Sequence, residues 1–214
     1  MTAESVIGTS GAADTVHLVG ICGSLRAESY TRQALKIALR GAERFGATTE
    51  LVDLREYDLV FCDGKIDPDK LPVDVSRMRG HVRKAHGILL ATPEYHGSFS
   101  GVLKNALDLM GFEEFEGKLV GLVGVSGGKV GAVNALNGLR GIGRALHAWV
   151  IPQQVSVPQA WKAFADDGAL KDRKLSRRLE AVGETVAKYA ALHTSDTAAE
   201  FVRLWEEAPA NPGG

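Results

Sequence analysis

The sequence predicts an α/β fold: a doubly wound sheet of five parallel strands with helices on both faces. Three observations predict it. Apolar, β-branched runs of strand length alternate with amphipathic segments of helical period along most of the chain. Several of these runs stop at a glycine, proline or serine, and an amphipathic segment then begins. No internal repeat, low-complexity tract or composition shift interrupts the alternation, so one domain is expected over residues 16–193.

Residues 16–22 are the first β-branched run and predict a buried strand. Residues 31–45 place Ala34, Leu35, Ala38, Leu39, Ala42 and Phe45 on one helical face. Residues 48–54 read as the second strand, and 57–72 as an irregular connection broken by Pro68 and Pro72. Residues 73–85 predict a helix and 87–92 the third strand, closed by Pro93. A helix over 101–110, a fourth strand over 119–125 and a helix over 132–148 follow. The fifth strand falls in 149–157 and a long last helix in 174–192. Right-handed crossovers then place every strand-to-helix loop along one edge, with strand order 2-1-3-4-5 expected.

The ends differ from this body. Residues 1–15 are small and polar, without the charged and apolar blocks of a signal peptide, and read as a disordered leader. In the tail, 194–214, Phe201, Leu204 and Trp205 stand at helical spacing beside Glu200, Glu206 and Glu207. That predicts a short amphipathic helix, packed either on its own domain or on a partner subunit.

Bulk properties narrow the class of function. The 214 residues suffice for a sizeable core without staples. A formal net charge of −1 offers no electrostatic case for nucleic acid or an anionic membrane surface. No apolar run reaches the ~18 residues of a membrane span. The two cysteines, Cys22 and Cys62, form no CxxC pair, and both suit a reducing cytoplasm. Cys22 ends an apolar strand and reads as an inert core thiol. His81 and His86 lack a partner cluster, so no metal site is expected.

The candidate chemistry sits in three loops. Gly23-Ser24-Leu25-Arg26-Ala27-Glu28-Ser29-Tyr30-Thr31 joins a strand to a helix, where free N–H groups and the helix dipole favour a phosphate. Ser24, Ser29 and Thr31 add hydroxyls, and Arg26 adds a charge-assisted contact. The same residues also suit plain helix capping by Ser29 or Thr31, with Arg26 solvated. In the second loop Pro93 ends a strand, Glu94 can orient the turn, and Tyr95 and His96 can line a flat ring. Gly97 allows close backbone approach, and Ser98 follows it. Ser126-Gly127-Gly128, after the fourth strand, is a third place where backbone can approach a ligand. A phosphate site and a flat-ring site on one sheet edge suggest FMN as cofactor.

Other signatures fail on spacing. The first strand offers only Gly20 and Gly23, not G-x-G-x-x-G. Gly128-Lys129 is followed by Val130, and Val123 stands where a Walker loop needs its first glycine. No G-x-S-x-G elbow occurs on a strand-to-helix turn, and no nucleophile–base arrangement is evident.

Gly23-Ser24-Leu25-Arg26 with Ser29, and Thr92-Pro93-Glu94-Tyr95-His96-Gly97-Ser98 running on to Gly101-Val102-Leu103-Lys104-Asn105-Ala106-Leu107-Asp108, resemble the two signatures of the NADPH-dependent FMN reductase family. The resemblance spans residues 16–192 and implies a flavodoxin-like fold. It further implies FMN phosphate binding at Ser24, Arg26, Ser29 and Thr31, with Tyr30 of the same loop also expected to bind the cofactor, ring contact at Pro93 to Ser98, and a third contact at Ser126, Gly127 and Gly128. It implies NADPH or NADH as co-substrate, a small-molecule electron acceptor (free flavin, quinone, azo compound or metal oxyanion) in a ping-pong cycle, and a homodimer or homotetramer. His96 replaces an asparagine common in relatives, and Ser100 a proline. Two rival classes are an electron-carrier flavodoxin and a flavin-binding sensor. Carriers resemble strongly acidic proteins without this arginine, so the near-neutral charge and Arg26 both favour an enzyme.

Overall fold

The computed structural model describes residues 15–65, 70–195, 199, 200, 203 and 204. Of the expected leader, residues 1–14 lie outside the described residues; of the expected tail helix, Glu200 and Leu204 are described and helical, while Phe201, Trp205, Glu206 and Glu207 lie outside. Strand β1 (His17–Cys22) is buried at five of its six positions, because it lies between β2 (Thr48–Asp53) and β3 (Gly87–Tyr95). Beyond β3 come β5 (Leu119–Val125), buried throughout, and the edge strand β6 (Trp149–Val157). All four neighbour pairings are parallel, so helices cover both faces and the strands read as continuous apolar runs. The five parallel strands follow the expected order.

The sheet also has a member that periodicity missed. β4 (Ser98–Phe99) folds back antiparallel on the end of β3, pairing Tyr95 with Ser98 and Glu94 with Phe99. Between the strands stand His96 and Gly97, with φ of 51° and 74°, as the two-residue loop of a type I′ turn. β3 thus continues past Pro93, where its end was expected. Ala91 accepts the Gly23 N–H on the β1 side, at 2.8 Å. Pro93, two residues on, faces the same way but lies beyond the end of β1, so its missing N–H costs no ladder bond.

One face carries α1 (Tyr30–Arg44) and α7 (Arg173–His193) over a core that includes Leu35, Leu39, Val182 and Val186. These helices approach backbone to backbone. A Cβ on Gly41 would run into the Glu180 carbonyl, and one on Gly183 into the Ala38 carbonyl. The other face carries α2 (Val73–Lys84), α3 (Gly101–Asp108) and α5 (Val133–Ala145) over Met78, Leu103 and Leu136. α5 stops three residues short of expectation because His147 turns left-handed, and the Ala148 N–H closes back on the Gly143 carbonyl at 2.9 Å. Two four-residue helices, α4 (Phe112–Phe115) and α6 (Ala160–Ala163), are too short for periodicity to reveal. No described helix is long and apolar enough to cross a membrane.

Candidate functional site

The loops after β1, β3 and β5 meet at the carboxyl edge of the sheet around a cleft of about 270 Å³. Ser24, Arg26, Ser29, Tyr30 and Thr31 line one end, with Pro93, Glu94, Tyr95, Ser126 and Gly127 elsewhere along it. His96, Gly97, Ser98 and Gly128, also expected at the site, are not among the lining residues. The first three are drawn into the hairpin by its pairing. Gly128 is taken up by structure: its N–H donates to Ser126 Oγ at 3.0 Å and its carbonyl accepts the Gln159 N–H at 3.0 Å. Glu28, Val125, Ala160 and Trp161 line the cleft without having been expected. The last two arrive on α6, whose place beside Ser126 is set by the Ala160 N–H bonding the Ser126 carbonyl at 3.0 Å.

At the loop end, Ser24, Ser29 and Thr31 are nearly buried. Ser29 caps α1, its Oγ accepting the Arg32 N–H at 3.2 Å. Capping does not exclude a ligand, because the same hydroxyl still has its own hydrogen to donate. The first-turn N–H groups of α1, those of Tyr30 and Thr31, have no intrahelical acceptor and face the positive end of the dipole.

The organiser of this loop is Arg32, which sequence reasoning missed. Its buried guanidinium donates through Nε to Asp53 Oδ2 at 2.7 Å. Nη1 donates to the Ala27 carbonyl at 3.0 Å, and Nη2 to the carbonyls of Arg26 at 3.0 Å and Ser24 at 3.5 Å. A trans peptide points its N–H opposite to its C=O. Drawing in those three carbonyls therefore turns the N–H groups of Leu25, Ala27 and Glu28 away from Arg32, as an anion-binding loop requires. Asp53 also accepts from Arg55 Nη2 at 2.7 Å. Burial works to raise the Asp53 pKa, but hydrogen bonds from Arg55 and Arg32 outweigh it and hold the carboxyl below its ordinary range. The legible sign was an aspartate ending an apolar strand together with an arginine in the first turn of the preceding helix.

At the β3 end, Thr92 Oγ1 accepts the Ser100 N–H at 3.0 Å, and Ser100 Oγ donates to the Gly23 carbonyl at 2.6 Å. Ser100 also caps α3 through the Leu103 N–H, so one hydroxyl ties two of the loops together. Glu94 Oε2 accepts the Ala135 N–H at 3.0 Å, anchoring this segment to the first turn of α5. Tyr95 stands at the mouth, 48 % exposed. Cys22 is buried and its thiol pKa is pushed up by desolvation, which keeps it inert. Among the described residues no cluster of His, Cys, Asp and Glu could hold a metal ion.

These residues fit FMN. Hydroxyls, N–H groups and Arg26 suit a phosphate at one end, and an aromatic, a proline and open backbone suit a flat ring at the other. A Cβ added at Gly127 would meet no protein atom within 4 Å, so that backbone is open to a ligand.

Fold and site together define a flavodoxin-like α/β protein with a cleft at the carboxyl edge of its sheet. The family model described as NADPH-dependent FMN reductase matches residues 16–162. The chain belongs to that family. Membership carries FMN as cofactor and NAD(P)H as reductant, and makes the protein an oxidoreductase. It is 30 % identical over 191 residues to NADPH-dependent FMN reductase ArsH of Shigella flexneri, covering 87 % of this chain and 73 % of that one. It is 41 % identical over 95 residues to NAD(P)H-dependent FMN reductase PA1204 of Pseudomonas aeruginosa. That alignment covers 44 % of this chain and half the length of the relative. Among solved structures, FerB, a flavoenzyme NAD(P)H:(acceptor) oxidoreductase from Paracoccus denitrificans, superposes with a TM-score of 0.64 at 25 % identity, covering 84 % of this chain and 99 % of that one.

Proposed function

We propose that this protein oxidises NAD(P)H and reduces a small acceptor in a ping-pong cycle, with FMN held in the cleft described above. The observation that carries the reading is the meeting of three strand-end loops around one cleft, polar with the exposed, cationic Arg26 at one end and bearing Tyr95 at the other. When bound, FMN supplies a centre that accepts two electrons as hydride from NAD(P)H and releases them to the acceptor. Everything else falls to the chain. Ser24, Ser29, Thr31 and Arg26 hold the phosphate, aided by the N–H groups that Arg32 turns outward. Pro93, Glu94 and Tyr95 shape the ring end, and Ser126 and Gly127 bring backbone close to the same ligand. His96, Gly97 and Ser98 contribute by fixing the position of Tyr95 through the hairpin, and Gly128 by fixing the third loop.

No side chain is assigned as a nucleophile or general acid. Tyr95 lines the cleft and is 48 % exposed, so the ring end is open to a small molecule, which supports access by reductant and acceptor in turn. A free flavin, a quinone, an azo compound or a metal oxyanion suits such a mouth. The reading extends to a cytoplasmic homodimer or homotetramer. The test is the absorption spectrum of the purified protein after adding FMN and then NADPH without oxygen. Bound flavin bands near ~450 nm that bleach on adding NADPH support the reading. Flavin that binds and stays oxidised marks a carrier or sensor instead. Parallel double-reciprocal lines across acceptor concentrations test the ping-pong order.

A further inference from the structure

Beside the phosphate end of the cleft lies a second, more polar cavity of about 650 Å³. The two share Arg26, Glu28, Ser29, Tyr30 and Trp161, so they adjoin along the loop assigned to the phosphate. The second cavity adds Lys36 from α1, and Asp166 and Lys171 from the α6–α7 connection. Arg26, assigned to the first phosphate, stands at the boundary, and Lys36 and Lys171 are the cations this cavity adds, beside the carboxylates of Glu28 and Asp166. Arg32 adds little further charge there, because its guanidinium is engaged by Asp53. Lys36 lies four residues after Arg32, one turn along α1, so positive charge continues away from the first cleft. Lys171 is held in place by its backbone N–H on the Ala163 carbonyl at 3.0 Å, with the residue exposed. Trp161 is 58 % exposed and bounds both cavities.

A cation cluster for phosphate beside a flat, exposed indole is the recognition chemistry of a phosphorylated purine nucleoside. We propose that this second cavity binds the phosphorylated adenosine of a dinucleotide whose other half occupies the first cleft. The proposal rests on the reading that FMN occupies the first cleft. Two sources carry this chemistry: FAD, whose adenylate is joined through the flavin phosphate, and NADPH, whose adenosine carries a 2′-phosphate.

Two titrations separate them. Flavin-free protein is titrated with riboflavin, FMN and FAD by quenching of flavin fluorescence, and FMN-saturated protein is titrated with 2′,5′-ADP by calorimetry. The expected result is FAD binding about tenfold tighter than FMN, saturable 2′,5′-ADP binding, or both. The double variant Lys36→Ala/Lys171→Ala then loses about tenfold of that binding while keeping wild-type FMN affinity and melting temperature. Tighter FAD alone assigns the flavin as the source, and 2′,5′-ADP binding alone assigns the nicotinamide dinucleotide. FAD no tighter than FMN together with no 2′,5′-ADP binding overturns the proposal. Adenylate binding that survives the double substitution overturns it equally. Failure of FMN itself to bind is a separate result: it removes the reading of the first cleft, while 2′,5′-ADP titration of the bare chain still decides the second cavity.

Discussion

The two ends of the cleft are built in opposite ways. The phosphate end is made of buried polar groups whose partners are specified: Arg32 engages three loop carbonyls and Asp53, and Ser29 caps α1. The ring end hangs on a two-residue hairpin, with Tyr95, His96, Gly97 and Ser98 all exposed. A buried polar network costs several kcal/mol when broken, so the first end is rigid and intolerant. An exposed turn that needs only a permitted backbone conformation is tolerant. One end of the cleft is thus fixed by its partners, and the other is free to vary.

The harshest break in this contrast is Arg32→Ala. It frees three carbonyls and half of the Asp53 pairing, so stability should fall by about 2–4 kcal/mol in a denaturant titration. FMN affinity should fall more than riboflavin affinity, because the phosphate loop is what loosens. Equal losses for the two flavins would make Arg32 a mere core residue. The same network sets an acid limit. A carboxyl whose folded pKa is lowered adds stability that is complete above its ordinary value of 3.8 and is lost as pH falls through the folded value. Stability measured from pH 5 downward should therefore decline on the acid side of 3.8, and Asp53→Asn should flatten that decline.

Arg26→Ala tests the ligand contact without the frame, since the side chain is exposed. FMN should bind roughly 10–100-fold more weakly, with riboflavin affinity and melting temperature unchanged. Unaltered FMN affinity would remove Arg26 from the phosphate site. At the ring end the effects are smaller. Gly97→Ala puts a Cβ on a residue at φ 74° and should cost about 1–2 kcal/mol of stability, with FMN still bound. His96→Asn suits the left-handed turn and should change stability by less than about 0.5 kcal/mol, keep FMN, and shift the preference among acceptors. Complete loss of nicotinamide oxidation in that variant would give His96 a role in proton transfer and undo the idea of a tolerant end.

Periodicity and turn chemistry alone determined the alternation of five strands and the major helices, and the edge on which the strand-end loops lie; the order of the strands in the sheet was an expectation that only their pairing decided. The alternation and the edge follow from local spacing and from the burial of parallel strands, both written in neighbouring residues. The phosphate loop was legible for the same reason, since its hydroxyls, Arg26 and the helix start are contiguous. Tertiary structure decided the rest. Arg32 and Asp53 are 21 positions apart and meet only because β1 and β2 pair in register at Cys22 and Asp53. Trp161 reaches the cleft only because α6 closes onto the loop after β5. His96 occupies a two-residue turn because β4, only two residues long, folds back on the end of β3, a pairing too short for alternation to reveal. Such contacts have no spacing signature: they are selected by which buried carbonyls, carboxylates and N–H groups remain unsatisfied once the sheet has formed.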